Sequence, residues 1–174
     1  MLGDESMAKT RKRLEIKISK TKSEWVWDII GLMVYVASIF FLIFVWNKLP
    51  DQVPGHYNAQ GEVDRMGSKF ELLLLPGIGL FMILFIRFFE RHPELHNYPQ
   101  RFNESNAEQF YLQSRKLANQ LKNICLIIFT LLLFESVSIA LGWWSGFGIW
   151  LLPLILVGTF TPIIIGLIQQ SRIK

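Results

Sequence analysis

The sequence predicts an all-α integral membrane protein with four transmembrane helices, and its composition and hydropathy pattern support that prediction. Of the 174 residues, 51% are apolar and only 18% are charged, and the mean hydropathy is +0.32. Each of four nearly charge-free windows is long enough to cross a hydrocarbon core of roughly 30 Å as a helix. These windows cover about residues 25–45, 70–89, 124–144 and 149–168. Backbone groups in lipid must be satisfied within their own segment, which favours helices over open strands.

Lysine and arginine are distributed unevenly along the chain, and their positions predict its orientation. Of 18 such residues, only Lys48, Arg65 and Lys69 lie between the first two windows. The others lie before the first window, in residues 87–122 and in the tail. Because cationic segments favour the cytoplasm, both termini are predicted to be cytoplasmic and the loop between helices 1 and 2 to be extracytoplasmic. A multi-pass membrane protein is therefore expected.

The windows and the charges together divide the chain into four parts. They are a basic cytoplasmic leader (1–24), a helical hairpin with an external loop (25–90, loop 47–69), a cytoplasmic connector with an amphipathic helix (91–122), and a second transmembrane hairpin with a short tail (123–174). The connector helix is expected to continue into the third span, from about residue 106 to 142. The basic leader is expected to be attracted to the anionic lipid bilayer. It is not expected to bind nucleic acid, because no basic domain follows it.

Short-range signals set expectations for the helix ends. Two residue pairs have capping-box spacing before an apolar run, namely Ser68 with Glu71 and Ser105 with Glu108. Pro76-Gly77 falls inside the second span and is expected to bend or loosen that helix.

Two acids lie inside predicted spans. Asp28 is about one turn from the start of the first span, where the helix dipole and nearby water favour a carboxylate. Glu135 lies well inside the third span, and an intramembrane acid is by default a functional candidate. Either Ser136 and Ser138 satisfy it locally, or desolvation keeps it protonated. Glu135 is therefore either a functional polar group or a structural interhelical hydrogen-bonding group.

The sequence contains no constellation that predicts catalysis, a metal site or a cofactor. His92 and His96 are four residues apart, but Pro93 stands where a zinc protease has its glutamate. Cys125 is the single cysteine and is expected to be a small packing residue. No serine or cysteine nucleophile is paired with a base, so we expect a protein that is not an enzyme.

The external loop is the best candidate for a binding site. Its chemistry-bearing residues are His56, Asn58, Glu62, Asp64, Arg65 and Lys69. A segment of about twenty ordered residues without a long helix or strand is more often functional than a plain connector. Its cations suit an anionic head group or a peptide carboxylate, its acids suit a cationic peptide, and its histidine would make binding sensitive to pH.

An ordered series of residues in this loop resembles the DUF1648 domain over about residues 30 to 90. The matching residues are Leu49, Pro50, Asp51, Val53, Pro54, His56, Tyr57, Asn58, Gly61, Glu62, Asp64, Gly67, Ser68, Lys69 and Pro76, with Gly55 standing where a bulkier residue is usual. Some proteins of this broader group resemble the SdpI immunity proteins, which protect Bacillus-type cells from a secreted peptide toxin. This chain is expected to lack the additional C-terminal SdpI spans.

Together these features predict a membrane protein that binds or senses an extracytoplasmic ligand. The resemblance implies a multi-pass protein of the bacterial cytoplasmic membrane. It also implies immunity to a membrane-active peptide, with an extracellular peptide or another membrane protein as the partner. The alternative is a small transporter or transporter subunit that uses Glu135 and the Pro76-Gly77 break. The pattern indicates no oligomeric state.

Overall fold

The computed structural model describes residues 16–174, so most of the predicted basic leader lies outside the described residues. Within that range the chain is mostly helical. Its helices are α1 (Lys22–Val45), α2 (Leu74–Arg91), α3 (Ala107–Ala140) and α4 (Leu151–Ser171). Together with the 3₁₀ turns Trp46–Lys48, Lys69–Leu73 and Gly148–Trp150, they give four segments long and apolar enough to cross a membrane. Among residues 16–174 the predicted number of candidate spans is confirmed, and these four helices indicate a multi-pass membrane protein.

Helix α3 is the central element of the bundle, because it packs against each of the other three helices. The outward surfaces of those helices are strongly apolar; for example, Phe40 is 68% exposed and Phe44 is 74% exposed. Large exposed apolar surfaces are rare in water-soluble monomers and are expected where lipid covers them. The connector helix and the third span form one continuous helix, as the pattern predicts.

The loop between α1 and α2 is a β-hairpin, which corrects the expectation of a purely α-helical chain. Strand β1 (Gln52–Tyr57) pairs antiparallel with β2 (Val63–Ser68), and the register is irregular on both sides of His56. β-branched and aromatic residues at Val53, Tyr57 and Val63 favour strands. The intervening turn is tight, so local pairing overrides the loop character suggested by the proline and glycine content.

The β-hairpin packs onto one end of the bundle, which we call the hairpin end. A cluster of buried apolar side chains joins the two parts: Leu42, Val45, Leu49, Val53, Leu72, Leu133 and Val137. The opposite end, called the connector end, contains residues 16–21, the connector between α2 and α3, and the tail.

Two predicted helix-end features differ from the structure. Helix α2 begins at Leu74, so Pro76 lies in its first turn, where the missing N–H removes no helical bond. The expected bend at Pro76-Gly77 is therefore wrong. Helix α3 has Asn106 as its N-cap with no side-chain capping bond, and Ser105 instead bonds to Asn103.

Candidate functional site

The turn of the β-hairpin is built around Asn58. Its side-chain oxygen accepts hydrogen bonds from the N–H groups of Gln60 (2.9 Å) and Glu62 (3.0 Å), and its amide donates to the Glu62 carboxylate (3.1 Å). Gly61 has a φ of 73°, and a Cβ there would overlap the carbonyl oxygen of Gly148 in the α3–α4 loop. Asn58 and Gly61 therefore hold the turn against the neighbouring loop.

The charged candidates on the β-hairpin form exposed pairs. His56 Nδ1 lies 2.6 Å from Asp64 Oδ1, and Lys69 Nζ lies 3.5 Å from Asp51 Oδ1. The His56 and Asp64 side chains are 63% and 42% exposed, so solvent screens their interaction. The His56–Asp64 pair therefore contributes little to stability and leaves both partners accessible.

Arg65 organises the base of the β-hairpin. Its guanidinium donates to both carboxylate oxygens of Glu71 (2.8 and 3.2 Å) and to the carbonyl of Gly55 (2.8 Å). The hydrogen bonds and charge of Glu71 raise the pKa of Arg65 above its ordinary value, so the guanidinium stays charged. Ser68 accepts from the N–H of Phe70 (3.4 Å) and caps the 3₁₀ turn, whereas the Glu71 carboxylate is engaged by Arg65.

Tyr57 anchors the β-hairpin to α3, a role that sequence reasoning missed. Its hydroxyl lies 2.9 Å from the hydroxyl of Ser136. Burial raises the pKa of the Tyr57 phenol to about 12, and the nearby Glu135 carboxylate adds to the shift, whereas the Ser136 hydrogen bond opposes it. The phenol is therefore neutral at physiological pH. An aromatic residue between His56 and Asn58 in a polar loop is the only sequence signal for this anchor.

Glu135 precedes Ser136 on α3, close to the Tyr57 hydroxyl, and is fully buried. Its Oε1 accepts a hydrogen bond from the N–H of Phe147 (2.7 Å), and its Oε2 has no hydrogen-bond partner among residues 16–174. Ser136 pairs with Tyr57 instead, and the Ser138 hydroxyl has no partner within the same residues. The expectation that the two serines satisfy Glu135 is therefore wrong, and the α3–α4 loop supplies the bond.

A cavity of about 460 Å³, called the hairpin cavity, lies between the β-hairpin and helices α2, α3 and α4. Its polar rim includes His56, Asn58 and Arg65, which are three of the six predicted loop residues, whereas Glu62, Asp64 and Lys69 do not line it. The remaining wall is mostly apolar and comes from all three helices, including Leu75, Leu132 and Ile155. A pocket of this size with apolar walls and a few polar groups suits a small amphipathic ligand or part of a larger one.

The connector end contains a second polar cluster, which is buried and which sequence reasoning missed. Arg115 contacts both carboxylate oxygens of Glu24 (2.8 and 3.1 Å). Lys122 lies 2.6 Å from Glu90 and 2.9 Å from Asp28. Asp28 also pairs with Lys20 and accepts hydrogen bonds from Asn119 and Asn123. The expectation that Asp28 is merely a dipole-favoured acid is corrected, because it belongs to an interhelical network.

The two connector histidines have separate neighbours. His92 lies 2.9 Å from Glu94, and His96 lies 2.9 Å from the Ser114 hydroxyl. Burial lowers the pKa of His96 below its ordinary value, so its neutral form is favoured. Among the described residues no group of three His, Cys, Asp or Glu side chains is arranged to hold a metal ion.

Comparison with known proteins gives one family match and one weak relative. Residues 33–80, which cover the second half of α1, the β-hairpin and the start of α2, match the family described as "Domain of unknown function (DUF1648)". A protein of Archaeoglobus fulgidus described only as uncharacterized is 37% identical over 65 residues. That match spans 33% of this chain and 36% of the archaeal protein, so the chain covers about a third of its relative. No solved structure matches the chain.

Proposed function

We propose that this protein binds an amphipathic ligand at the hairpin cavity, from the outer face of a bacterial cytoplasmic membrane. The cavity itself carries the proposal, because it joins polar candidates of the β-hairpin to an apolar wall made by three membrane helices. The proposed activity is binding without catalysis, and it needs no cofactor.

The positions of the cations at the two ends of the bundle support the proposed orientation. The hairpin end holds Lys48, Arg65 and Lys69, whereas the other described lysines and arginines lie at or near the connector end. The positive-inside tendency supports a cytoplasmic connector end and an outer hairpin end. A ligand arriving from outside would then meet the polar rim before the apolar wall.

The chemistry of the rim supports recognition of a peptide or another amphipathic molecule. His56 pairs with Asp64 in an exposed contact that a ligand group can replace at small cost. Arg65 is already paired with Glu71 through two hydrogen bonds, so it holds a positive charge at the rim that attracts an anionic ligand group. The apolar wall would hold the ligand's hydrophobic part. A membrane-active peptide has both properties, in keeping with the resemblance to immunity proteins.

A deletion strain tested against a panel of membrane-active peptides examines this proposal. Loss of the gene is expected to increase sensitivity to at least one peptide, and the wild-type gene is expected to restore resistance. The variant Ile155→Trp fills the hairpin cavity and is expected to fail to restore resistance. Leu156→Trp adds the same volume at a neighbouring position that is 44% exposed and outside the cavity, so it serves as the matched control.

The variant His56→Ala tests the polar rim in the same strain. Its control is Lys48→Ala, which removes a charged side chain of the hairpin end that lies outside the cavity. Only His56→Ala is expected to reduce resistance. Unchanged sensitivity of the deletion strain across the panel, or full resistance with both Ile155→Trp and His56→Ala, would contradict the proposal. Equal expression of the variants in membranes is the necessary control.

Transport is a second candidate, and the unpartnered oxygen of buried Glu135 is the observation that favours it. Intramembrane acids commonly mark ion or substrate pathways. The Pro76-Gly77 element no longer contributes, because it lies in the first turn of α2. Glu135→Gln keeps an acceptor for the Phe147 N–H but removes the ionisable group. Transport predicts that this variant abolishes uptake or efflux, and a fully active variant would eliminate Glu135 from the mechanism.

A further inference from the structure

A second polar cavity, called the connector cavity, lies at the end of the bundle opposite the β-hairpin. It has a volume of about 320 Å³ and is bounded by the segment before α1 and by helices α1, α2 and α3. Its charged lining residues are Lys17, Lys20, Glu24, Arg87, Glu90, Arg91 and Arg115. The connector cavity is separate from the hairpin cavity and shares no lining residue with it.

Both acids of the connector cavity are already neutralised by cations. Glu24 binds Arg115 through two contacts, and Glu90 lies 2.6 Å from Lys122. Lys20 pairs with Asp28. No carboxylate of the lining is therefore left to pair with another cation.

Three lining cations remain without a carboxylate partner among residues 16–174: Lys17, Arg87 and Arg91. Arg87 and Arg91 are four residues apart, so they share one face at the end of α2. All three side chains belong to exposed residues at the rim of the cavity. Like charges gathered around one cavity repel each other, and an anion bound among them relieves that repulsion.

The buried network holds these cations together. Arg115 donates to the carbonyl oxygens of Ile18 (2.6 Å) and Ser19 (2.8 Å) while it binds Glu24. These bonds fix the segment that carries Lys17 beside the end of α2. The site is therefore assembled from two distant parts of the chain by a side chain that is itself buried.

We propose that the connector cavity binds the phosphate group of an anionic phospholipid. Arg87 and Arg91 lie in the last turns of a membrane-spanning segment, which ends at the depth of the lipid head groups. Guanidinium groups bind phosphate oxygens through charge-assisted, forked hydrogen bonds, and Lys17 adds a third positive charge. Basic pockets between membrane helices suit such head groups.

Native mass spectrometry of the full-length protein in detergent, with phosphatidylglycerol or phosphatidylcholine added, tests this site. The wild type is expected to retain phosphatidylglycerol preferentially. Each cation near an anionic head group contributes roughly fivefold in affinity, so Arg87→Gln with Arg91→Gln is expected to weaken phosphatidylglycerol binding by about 25-fold. The matched control, Arg172→Gln with Lys174→Gln, removes the same charge from the same end of the bundle outside the cavity and is expected to change binding less than about twofold.

Lys17→Gln, expected to weaken binding by about fivefold, provides a second variant that leaves α2 intact. Size-exclusion profiles identify any variant that fails to fold. Phosphatidylglycerol affinity that is unchanged in both the double variant and Lys17→Gln, or lost equally in the Arg172 and Lys174 control, would overturn the site. Displacement of the lipid by a millimolar excess of inorganic phosphate would overturn the lipid assignment and identify a free-phosphate site.

Discussion

The ion pairs His56–Asp64 at the hairpin end and Glu24–Arg115 at the connector end differ in burial and in the distance along the chain that they bridge. At the hairpin end, His56 pairs with a residue eight positions away, and both side chains are largely exposed. At the connector end, Glu24 pairs with Arg115, 91 positions away, and both are buried. Exposed local pairs exchange partners at little cost, whereas buried pairs between helices fix the scaffold. The difference supports the ligand binding proposed at the hairpin end, and it shows that buried ion pairs join the helices at the connector end.

The largest expected effect comes from breaking the connector-end network at Lys122. Lys122→Met leaves Glu90 without a cation and removes one of the two cations that pair with Asp28. Because an unpaired buried charge is costly, the free energy of unfolding is expected to fall by about 3–5 kcal/mol. Denaturant unfolding in mixed micelles, followed by circular dichroism, measures the change.

Lys116→Met is the matched control, since Lys116 lies on the same helix outside this ion-pair network. It is expected to change the unfolding free energy by less than about 0.5 kcal/mol. Adding Glu90→Gln to Lys122→Met removes the unpaired charge and is expected to restore part of the loss. If Lys122→Met is as stable as the wild type, the connector end tolerates the loss of an ion pair as well as the hairpin end does. The two ends would then not differ in how much their ion pairs stabilise the fold.

The next effect tests whether the hairpin end depends on its docking. Gly61 has a φ of 73°, at which an alanine backbone is strained. Gly61→Ala also places a Cβ where it overlaps the Gly148 carbonyl, so backbone strain and steric overlap both destabilise the variant. We expect the unfolding free energy to fall by about 2–4 kcal/mol. We also expect the variant to fail to restore peptide resistance in the deletion strain. Gly142→Ala has a similar φ of 68° with no atom within 4 Å of the added Cβ, so it is expected to lose only about 1–2 kcal/mol. Equal losses would show that the contact with the α3–α4 loop contributes nothing.

The parts of the fold that sequence predicts are those set by nearby residues. Hydropathy identifies the four spans because each is a continuous apolar run that satisfies its own backbone. Capping-box spacing fails at Ser105 because Asn103 and Asn106 compete for the same short-range hydrogen bonds. The bend predicted at Pro76-Gly77 is absent because hydropathy does not identify the first helical residue. A proline disrupts a helix only when it lies beyond the first turn.

The candidate site is predicted less completely, because its geometry depends on contacts between distant residues. The loop composition singles out His56, Asn58 and Arg65 as binding candidates, and these three residues line the hairpin cavity. It does not distinguish them from Glu62 or Lys69, which lie outside that cavity, because strand pairing decides which side chains face the helices. The contact between Tyr57 and Ser136 joins positions 79 apart, and no local sequence pattern predicts it.

A pH-dependent effect is expected from His96 at the connector end. Burial lowers the pKa of His96 in the folded protein, so the unfolded chain binds the proton more readily. The resulting stability is fully present above the ordinary histidine pKa of about 6.5 and falls as the pH drops below it, by at most about 1.4 kcal/mol per pH unit. Unfolding free energies measured between pH 8 and pH 5 check the slope.

Two variants separate the titration of His96 from its packing. His96→Gln is expected to remove its contribution to the slope, since glutamine does not titrate. Ser114→Ala removes the hydroxyl 2.9 Å from His96 but keeps the imidazole, so the slope is expected to persist at lower overall stability. An identical slope in the wild type and His96→Gln would contradict the assignment.

The smallest effect is expected at the exposed pair of His56 and Asp64. Because the pair is screened by solvent, His56→Ala, Asp64→Ala and the double variant are each expected to change the unfolding free energy by less than about 1 kcal/mol. A double-mutant cycle gives the coupling between the two side chains directly. Low coupling combined with reduced peptide resistance in His56→Ala would mean that the side chain is held for a ligand and not for the fold. A coupling above about 2 kcal/mol would make this pair as structural as those at the connector end, and the two ends would then no longer differ in role.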